Sequence, residues 1–504
     1  MTRKNFIYYP YLFALFPVLY LFAINIKQFS LIVCLVPSIV MLVMTFLLLL
    51  YLKKIFKDED KSAFTVAIIY IWLFSYSAVR SILVFDILGL QFYRHRYFIV
   101  IWLILLMIIS LIIRKKKMNY KSVGRFLTIL VSLLILLSFY QGGKHLFSKE
   151  IHEIISEKKT MEKMSLPRRD SLPDIYYIIL DAYTGQKGLK KYLDFNNGEF
   201  ITFLKSRGFY VAEKSKSNYS WTVLSLASSL NMEYNPVDTL KNENIFQIKE
   251  HFTPTEAIMN NKFYALLNTV GYQFEDISIW WGTSLHFSNP RLYYSQFITN
   301  NFNLALIQMT FLDRPLVGNY FMASAKRSIV RTKLNLLNNL KPTGRPRFVY
   351  AHFLIPHHPY VFSKDGSATG IMDGVLEIGS EQKLYLDQLQ YANSEIEKTI
   401  DILLAQKSRE KPIIILQGDH GAYNLGKTKE ENINLRMSIL NAYYVPDTCR
   451  RNLYPEISPV NSFRIILNFC FKQNYKLLPD KSYYSTFEEY AKLKDVTTQV
   501  NSAF

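Results

Sequence analysis

Five apolar runs, each near 20 residues, crowd into the first 147 positions of this 504-residue chain. Nothing else in the sequence constrains folding as strongly. A stretch of that length and polarity satisfies its backbone inside a bilayer only as a helix. The runs predict five transmembrane helices at roughly 6–25, 31–52, 63–88, 97–113 and 124–141. A cleavable leader is not expected, because the first run is followed at once by others and no small-residue cleavage site stands after it.

Loop charge sets the orientation. Arg3 and Lys4 precede the first run; Lys53, Lys54, Lys57 and Lys61 lie between the second and third; Arg114, Lys115, Lys116, Lys117 and Lys121 lie between the fourth and fifth. The other two loops carry only Lys27, then Arg94 and Arg96. The positive-inside rule puts the first group in the cytoplasm, and an odd number of spans puts everything after residue 147 outside it. Three regions follow: a transmembrane domain over 1–147, a charged linker over 148–172, and an extracytoplasmic domain over 173–504. The linker suits either a helix lying on the bilayer or a solvated spacer.

The net charge of +19 suggests nucleic acid, but its distribution does not. Residues 1–147 hold 17 Lys/Arg against 4 Asp/Glu, mostly in the loops that topology already explains. The remaining residues hold 42 against 36, with no basic stripe interleaved by aromatics, so no nucleic-acid partner is expected. Of three cysteines, Cys449 and Cys470 are the external pair, and a disulfide is permitted there.

From Pro173 onward, apolar β-rich segments alternate with helical patterns. Strands are expected at 174–181, 208–213, 347–355, 412–418 and 439–445, and helices at 222–232, 255–269, 381–406 and 485–494. Near-continuous apolar strands separated by helices indicate an α/β domain with a mainly parallel sheet covered on both faces. Sites in such sheets form at the carboxyl ends of the strands. There the sequence places Asp181, then Pro356-His357-His358-Pro359, then Asp419 and His420.

Each residue has a plain structural reading beside a chemical one. An Asp closing an apolar strand caps a turn, or meets a cation that offsets the cost of its burial. Thr222 opens the helical pattern 222–232, where it is either an N-cap or a hydroxyl at a helix terminus that favours anions. His352, His357 and His358 fall within seven residues, and imidazoles beside a phosphate bind it or move protons. Gly418 and Gly421 flank Asp419-His420 and are expected to let the backbone turn tightly.

In this order, Asp181, Thr222, the His-rich strand exit and Gly-Asp-His-Gly resemble the alkaline phosphatase/sulfatase superfamily. With five amino-terminal spans, the chain looks most like its membrane branch of phosphoethanolamine transferases and lipoteichoic acid synthases. The resemblance implies an alkaline-phosphatase-like domain in a bacterial inner (plasma) membrane protein. It implies one divalent metal ion held by Asp181, Thr222, Asp419 and His420, with Thr222 as nucleophile and His352 and His357 at the phosphoryl group or acceptor. That donor set suits Zn2+ or Mn2+. The spacing from Thr222 to Ser225-Leu226-Ala227 favours Thr222 over Ser220. The chain departs from the transferases in carrying Asp rather than Glu at 181, in lacking their bracing cysteines, and in having Arg436 rather than a further histidine after Gly421.

The implied activity moves phosphoethanolamine or phosphoglycerol from a membrane phospholipid to a glycan or lipid acceptor through a phosphothreonine. A hydrolase with the same site, and a membrane assembly or binding protein without chemistry, are the alternatives. An arylsulfatase is disfavoured, because threonine cannot become formylglycine.

Overall fold

The computed structural model describes residues 7–26, 31–83, 86–87, 90–91, 95–115, 118–146, 172–235, 254–278, 301–313, 318–369, 380–406, 410–486 and 492–504. The chain divides into two compact units, Met1–Ser156 with Gln296–Met322, and Glu157–Ser295 with Ala323–Phe504. Nearly all of the expected linker, 148–171, lies outside the described residues, as do Arg3, Lys4, Lys27, Arg94, Lys116 and Lys117.

The first unit contains five long amino-terminal helices: α1 (Tyr9–Ile24), α2 (Leu35–Phe56), α3 (Glu59–Ile82), α4 (His95–Lys115) and α5 (Tyr120–Leu146). The last four contain stretches long and apolar enough to cross a membrane. The first has 16 residues, about 24 Å of helix against a hydrocarbon core of about 30 Å. Local chemistry starts α3: the Asp58 carboxylate accepts the Lys61 N–H at 3.0 Å, with Glu59 and Asp60 in the first turn. Small residues let α1 and α5 approach closely. A Cβ on Gly142 would stand 2.6 Å from the Ala23 carbonyl oxygen. Trp72 and Trp102 donate their indole N–H groups to each other's carbonyls at 3.1 and 3.2 Å, which satisfies both polar handles between α3 and α4.

The second unit is built on a six-stranded sheet. Its strands are β1 (Ile175–Leu180), β2 (Tyr210–Val211), β3 (Gln273–Asp276), β4 (Arg347–Phe353), β5 (Ile413–Gly418) and β6 (Asn441–Tyr444), in the order β2-β6-β5-β1-β4-β3. β1 pairs in parallel with both β4 and β5, β3 pairs in parallel with β4, and β6 runs antiparallel to β5 and β2. The central strands are buried on both faces. Tyr176, Ile178 and Leu180 join one core cluster, while Ile175, Tyr177 and Ile179 join the other. This is why β1 reads as an unbroken apolar run rather than an alternating one. The α/β architecture with a mainly parallel sheet is therefore as expected.

Several details differ. Strand β3 was not among the expected strands; its exposed Gln273 and charged Glu275 and Asp276 hide an edge position. The expected helix 255–269 is two, Pro254–Met259 and Lys262–Thr269, divided where Asn261 caps the second through the Tyr264 N–H. The expected helix 485–494 is not present among its described residues. Residues 487–491 of that expectation lie outside the described residues, and at its far end Lys494–Asp495 pairs antiparallel with Tyr483–Tyr484. Cys449 and Cys470 are bonded, with Cα atoms 5.7 Å apart.

Candidate active site and metal centre

Register brings the candidate residues together. Leu180 stands opposite Phe353 on one side and Gly418 on the other, so the chain leaves three neighbouring strands at one edge. Asp181 follows β1, Asp419 and His420 follow β5, and His352 sits one residue before the end of β4. Their ligand atoms converge: Asp181, Asp419 and His420 each offer one within 4.8 Å of the others. All three are buried, as is His352.

The charges there are left open to something else. Neither oxygen of Asp181, nor Oδ2 of Asp419, accepts a hydrogen bond among the described residues. The nearest nitrogens are Nε2 of His352, 3.3 Å from Asp181 Oδ2, and Nε2 of His420, 3.7 Å from Asp181 Oδ1 and 3.3 Å from Asp419 Oδ2. Burial, and then the neighbouring Asp181, push the Asp419 carboxyl well above the usual carboxylate range. Burial acts on Asp181 as well, but His357, His352 and His420 hold it below that range. Two buried carboxylates with orphaned oxygens and one imidazole fit a divalent cation, which compensates both charges at once.

Thr222 is the first residue of helix α6 (Thr222–Asn231), and Trp221 holds the N-cap position without a side-chain cap. The hydroxyl is thus not spent on capping. Oγ1 lies 3.0 Å from His420 Nε2. His420 Nδ1 is 3.1 Å from the Gly421 carbonyl, which can only accept, so Nδ1 carries the proton and Nε2 keeps its lone pair. Burial, then Arg436, keep this imidazole neutral by lowering its pKa well below the ordinary value. Ser220, the other hydroxyl considered, donates instead to the Ser485 carbonyl at 3.1 Å.

Helix α6 is tied to the ligand turn from behind. Ser217 and Ser225 both donate to the Asp419 carbonyl, at 2.5 and 2.6 Å. Oδ1 of Asp419 accepts the Ala182 N–H at 3.1 Å, which links the two strand exits directly.

The histidine segment divides into different environments. His352 is enclosed against Asp181, where it can orient that carboxylate. His357 is half-buried, its ring centroid 6.4 Å from that of His420, and His358 is exposed. Nδ1 of His357 bonds the His358 carbonyl, leaving the lone pair on Nε2. Two long helices hold this turn, α7 (Gly318–Asn338) and α8 (Ser380–Ala405). Lys326 on α7 donates to the carbonyls of His357 and Pro359 at 2.6 and 2.8 Å, and Lys333 to that of His352 at 2.7 Å. Gln388 on α8 uses its whole amide: Nε2 donates to Pro356 and His357, and Oε1 accepts from Val361 and Phe362.

The glycines of Gly-Asp-His-Gly serve a different purpose from the expected one. Neither has a positive φ among the backbone values. They are required by packing: a Cβ on Gly418 would stand 2.6 Å from the Tyr183 carbonyl oxygen, and one on Gly421 only 2.0 Å from that of Leu435.

Residues 222–448 match the family model named Sulfatase. Over those residues the chain carries a sulfatase-family domain. Its class is that of sulfatase-like phosphotransferases and hydrolases. No curated protein matches the chain in sequence. Among solved structures, the sulfatase-family chain is similar to the zinc complex of the periplasmic domain of EptC from Escherichia coli, at 12% identity and TM-score 0.41, covering 66% of this chain and 96% of that one. It is also similar to the lipooligosaccharide phosphoethanolamine transferase EptA from Neisseria meningitidis, at 12% identity and TM-score 0.38, covering 92% and 95%. A third similar structure is the sulfatase YidJ of Bacteroides fragilis, described in its structure as putative, at 13% identity and TM-score 0.39, covering 65% and 84%.

Proposed function

We propose that this sulfatase-family protein transfers a phosphorylated headgroup, phosphoethanolamine or phosphoglycerol, from a membrane phospholipid to a hydroxyl of an envelope glycan or lipid. The observation that carries the reading is the Thr222 hydroxyl, 3.0 Å from a neutral His420 nitrogen and beside two buried carboxylates with orphaned oxygens. The long apolar helices support a donor that lives in the same bilayer. The catalytic domain then works outside the cytoplasm, in the cell envelope, on a multi-pass anchor in the plasma membrane.

Asp181, Asp419, His420 and Thr222 would hold one divalent cation, Zn2+ or Mn2+, which lowers hydroxyl pKa and neutralises phosphoryl charge when bound. In the first half-reaction Thr222 Oγ1 bonds to phosphorus as its proton passes, through water, to the free Nε2 of His357, and the bond from phosphorus to the diacylglycerol oxygen breaks. His357, half-buried and charged by that proton, passes it to the leaving oxygen. In the second half the acceptor hydroxyl gives its proton to His357 Nε2 and bonds to phosphorus, and the phosphorus–Oγ1 bond breaks as His357 hands that proton back to Thr222. His352 keeps the Asp181 carboxylate oriented throughout. The threonine argues against a sulfatase reaction through formylglycine.

Mass spectrometry of the Thr222 peptide, from protein purified out of its own membrane, tests the reading. A phosphoethanolamine or phosphoglycerol adduct is expected. An unmodified Thr222 under conditions of measurable diacylglycerol release would overturn it.

A further inference from the structure

The residue just before Thr222 and the residue three places after His420 are both aromatic. The rings of Trp221 and Tyr423 lie 6.2 Å apart, tilted by 47°. The Arg436 guanidinium, on helix α9 (Lys429–Met437), lies 5.2 Å from the first ring and 5.4 Å from the second. Arg436 is 3% exposed, whereas Tyr423 is 42% exposed and Trp221 half-buried.

The shelf is rigid. The Trp221 indole N–H is donated to the carbonyl and hydroxyl oxygens of Ser485, both at 3.1 Å. Arg436 donates through Nε to the Ser220 carbonyl at 2.7 Å and through Nη1 to the Gly421 carbonyl at 3.2 Å. It thus joins the chain just before the nucleophile to the chain just after His420. Trp221 and Tyr423 have no part in the transfer chemistry above, and Arg436 enters it only through its field at His420.

An exposed ring at the mouth of a site attracts either a cation or the C–H face of a flat ligand. The guanidinium already serves the rings as their cation. A second positive charge about 5 Å from it would be repelled by about 3 kcal/mol at an effective dielectric of about 20. An ammonium headgroup is therefore disfavoured, and the C–H face of a sugar ring is what remains. Resting on the transfer reading, we propose that Trp221, Tyr423 and Arg436 form the acceptor subsite, and that the acceptor presents a sugar ring to Tyr423.

The test uses the full-length protein in phospholipid nanodiscs holding labelled phosphatidylethanolamine and phosphatidylglycerol. Methyl glucoside is offered as a ring acceptor and 1,3-propanediol as an open-chain one, with the label on Thr222 followed in parallel. Wild type should prefer the ring. Tyr423→Ala should cut that preference about tenfold through the ring acceptor's KM, and Tyr423→Phe should hold it within about twofold. Equal loss for both acceptors in Tyr423→Ala, or no change for either, overturns the subsite while a labelled Thr222 leaves the transfer reading standing. A wild type that shows no ring preference overturns it too. Absence of label on wild-type Thr222 overturns both.

Discussion

Oγ1 of Thr222 and Nε2 of His420 are 3.0 Å apart across 198 positions of sequence. The hydroxyl at the head of one helix faces the lone pair of an imidazole carried past the end of a strand. Their pairing leads to the first prediction. Thr222→Ala should lower diacylglycerol release at least about a thousandfold, since removing a nucleophile leaves only binding and electrostatic assistance. Thr222→Ser should retain measurable turnover and a covalent adduct. Release assays beside peptide mass spectrometry check both.

Metal content and stability should move together. Elemental analysis should find one divalent ion per chain, and Asp181→Asn or Asp419→Asn should remove it. Chelation should lower the thermal midpoint of wild type, because an ion at about a hundred times its Kd contributes about 2.7 kcal/mol. The Asn variants should show no further shift on chelation.

Gly421→Ala should be strongly destabilising. Its Cβ would meet the carbonyl oxygens of Leu435 and Ser438 at 2.0 and 2.6 Å, and both are backbone atoms. Overpacking of this kind costs about 1–3 kcal/mol or more. Gly344→Ala, where a Cβ meets nothing within 4 Å, is the matched control. Denaturation midpoints should separate the two.

Lys326 should reveal itself through pH. Burial pushes its ammonium down to about 7 from the ordinary 10.5. Between those values the unfolded chain holds a proton that the folded chain lacks, so this group makes stability rise with pH across that window. Lys326→Met removes the contribution. The stability of the variant relative to wild type should therefore fall as pH rises from 7 to 10. Its turnover should drop about tenfold as the His357 turn loosens, and Lys326→Arg should restore part of it.

The sheet and the strand exits were legible because buried parallel strands write themselves as apolar runs. Asp181 and Asp419 each stand directly after one, and His420 comes next after Asp419. Thr222 was legible only as an alternative to an N-cap, and the cap position belongs to Trp221. The support around the site was not legible. Lys326 and Lys333 share a helix face with buried Val330 and Leu337. Lysines in an apolar stripe are a signal, but their carbonyl partners lie in a turn that only the fold brings near. Ser217 and Ser225 look like ordinary hydroxyls until the Asp419 carbonyl arrives between them. The two glycines were noticed for the wrong reason, since close approach of a distant backbone leaves no mark in local sequence.

β1 is the shared neighbour of β4 and β5, and each of the three brings one part of the constellation. Asp181 is made before residue 200, His352 after 350 and Asp419 after 400, so no early portion of the chain contains the set. The two carboxylates face each other only after β5 has docked beside β1, a pairing of long sequence separation that forms slowly. An ion held between them would therefore act as a proofreader of topology. It would find no home in a half-assembled sheet, and its binding energy would accrue only to a domain in which the last of the three strands has taken its place.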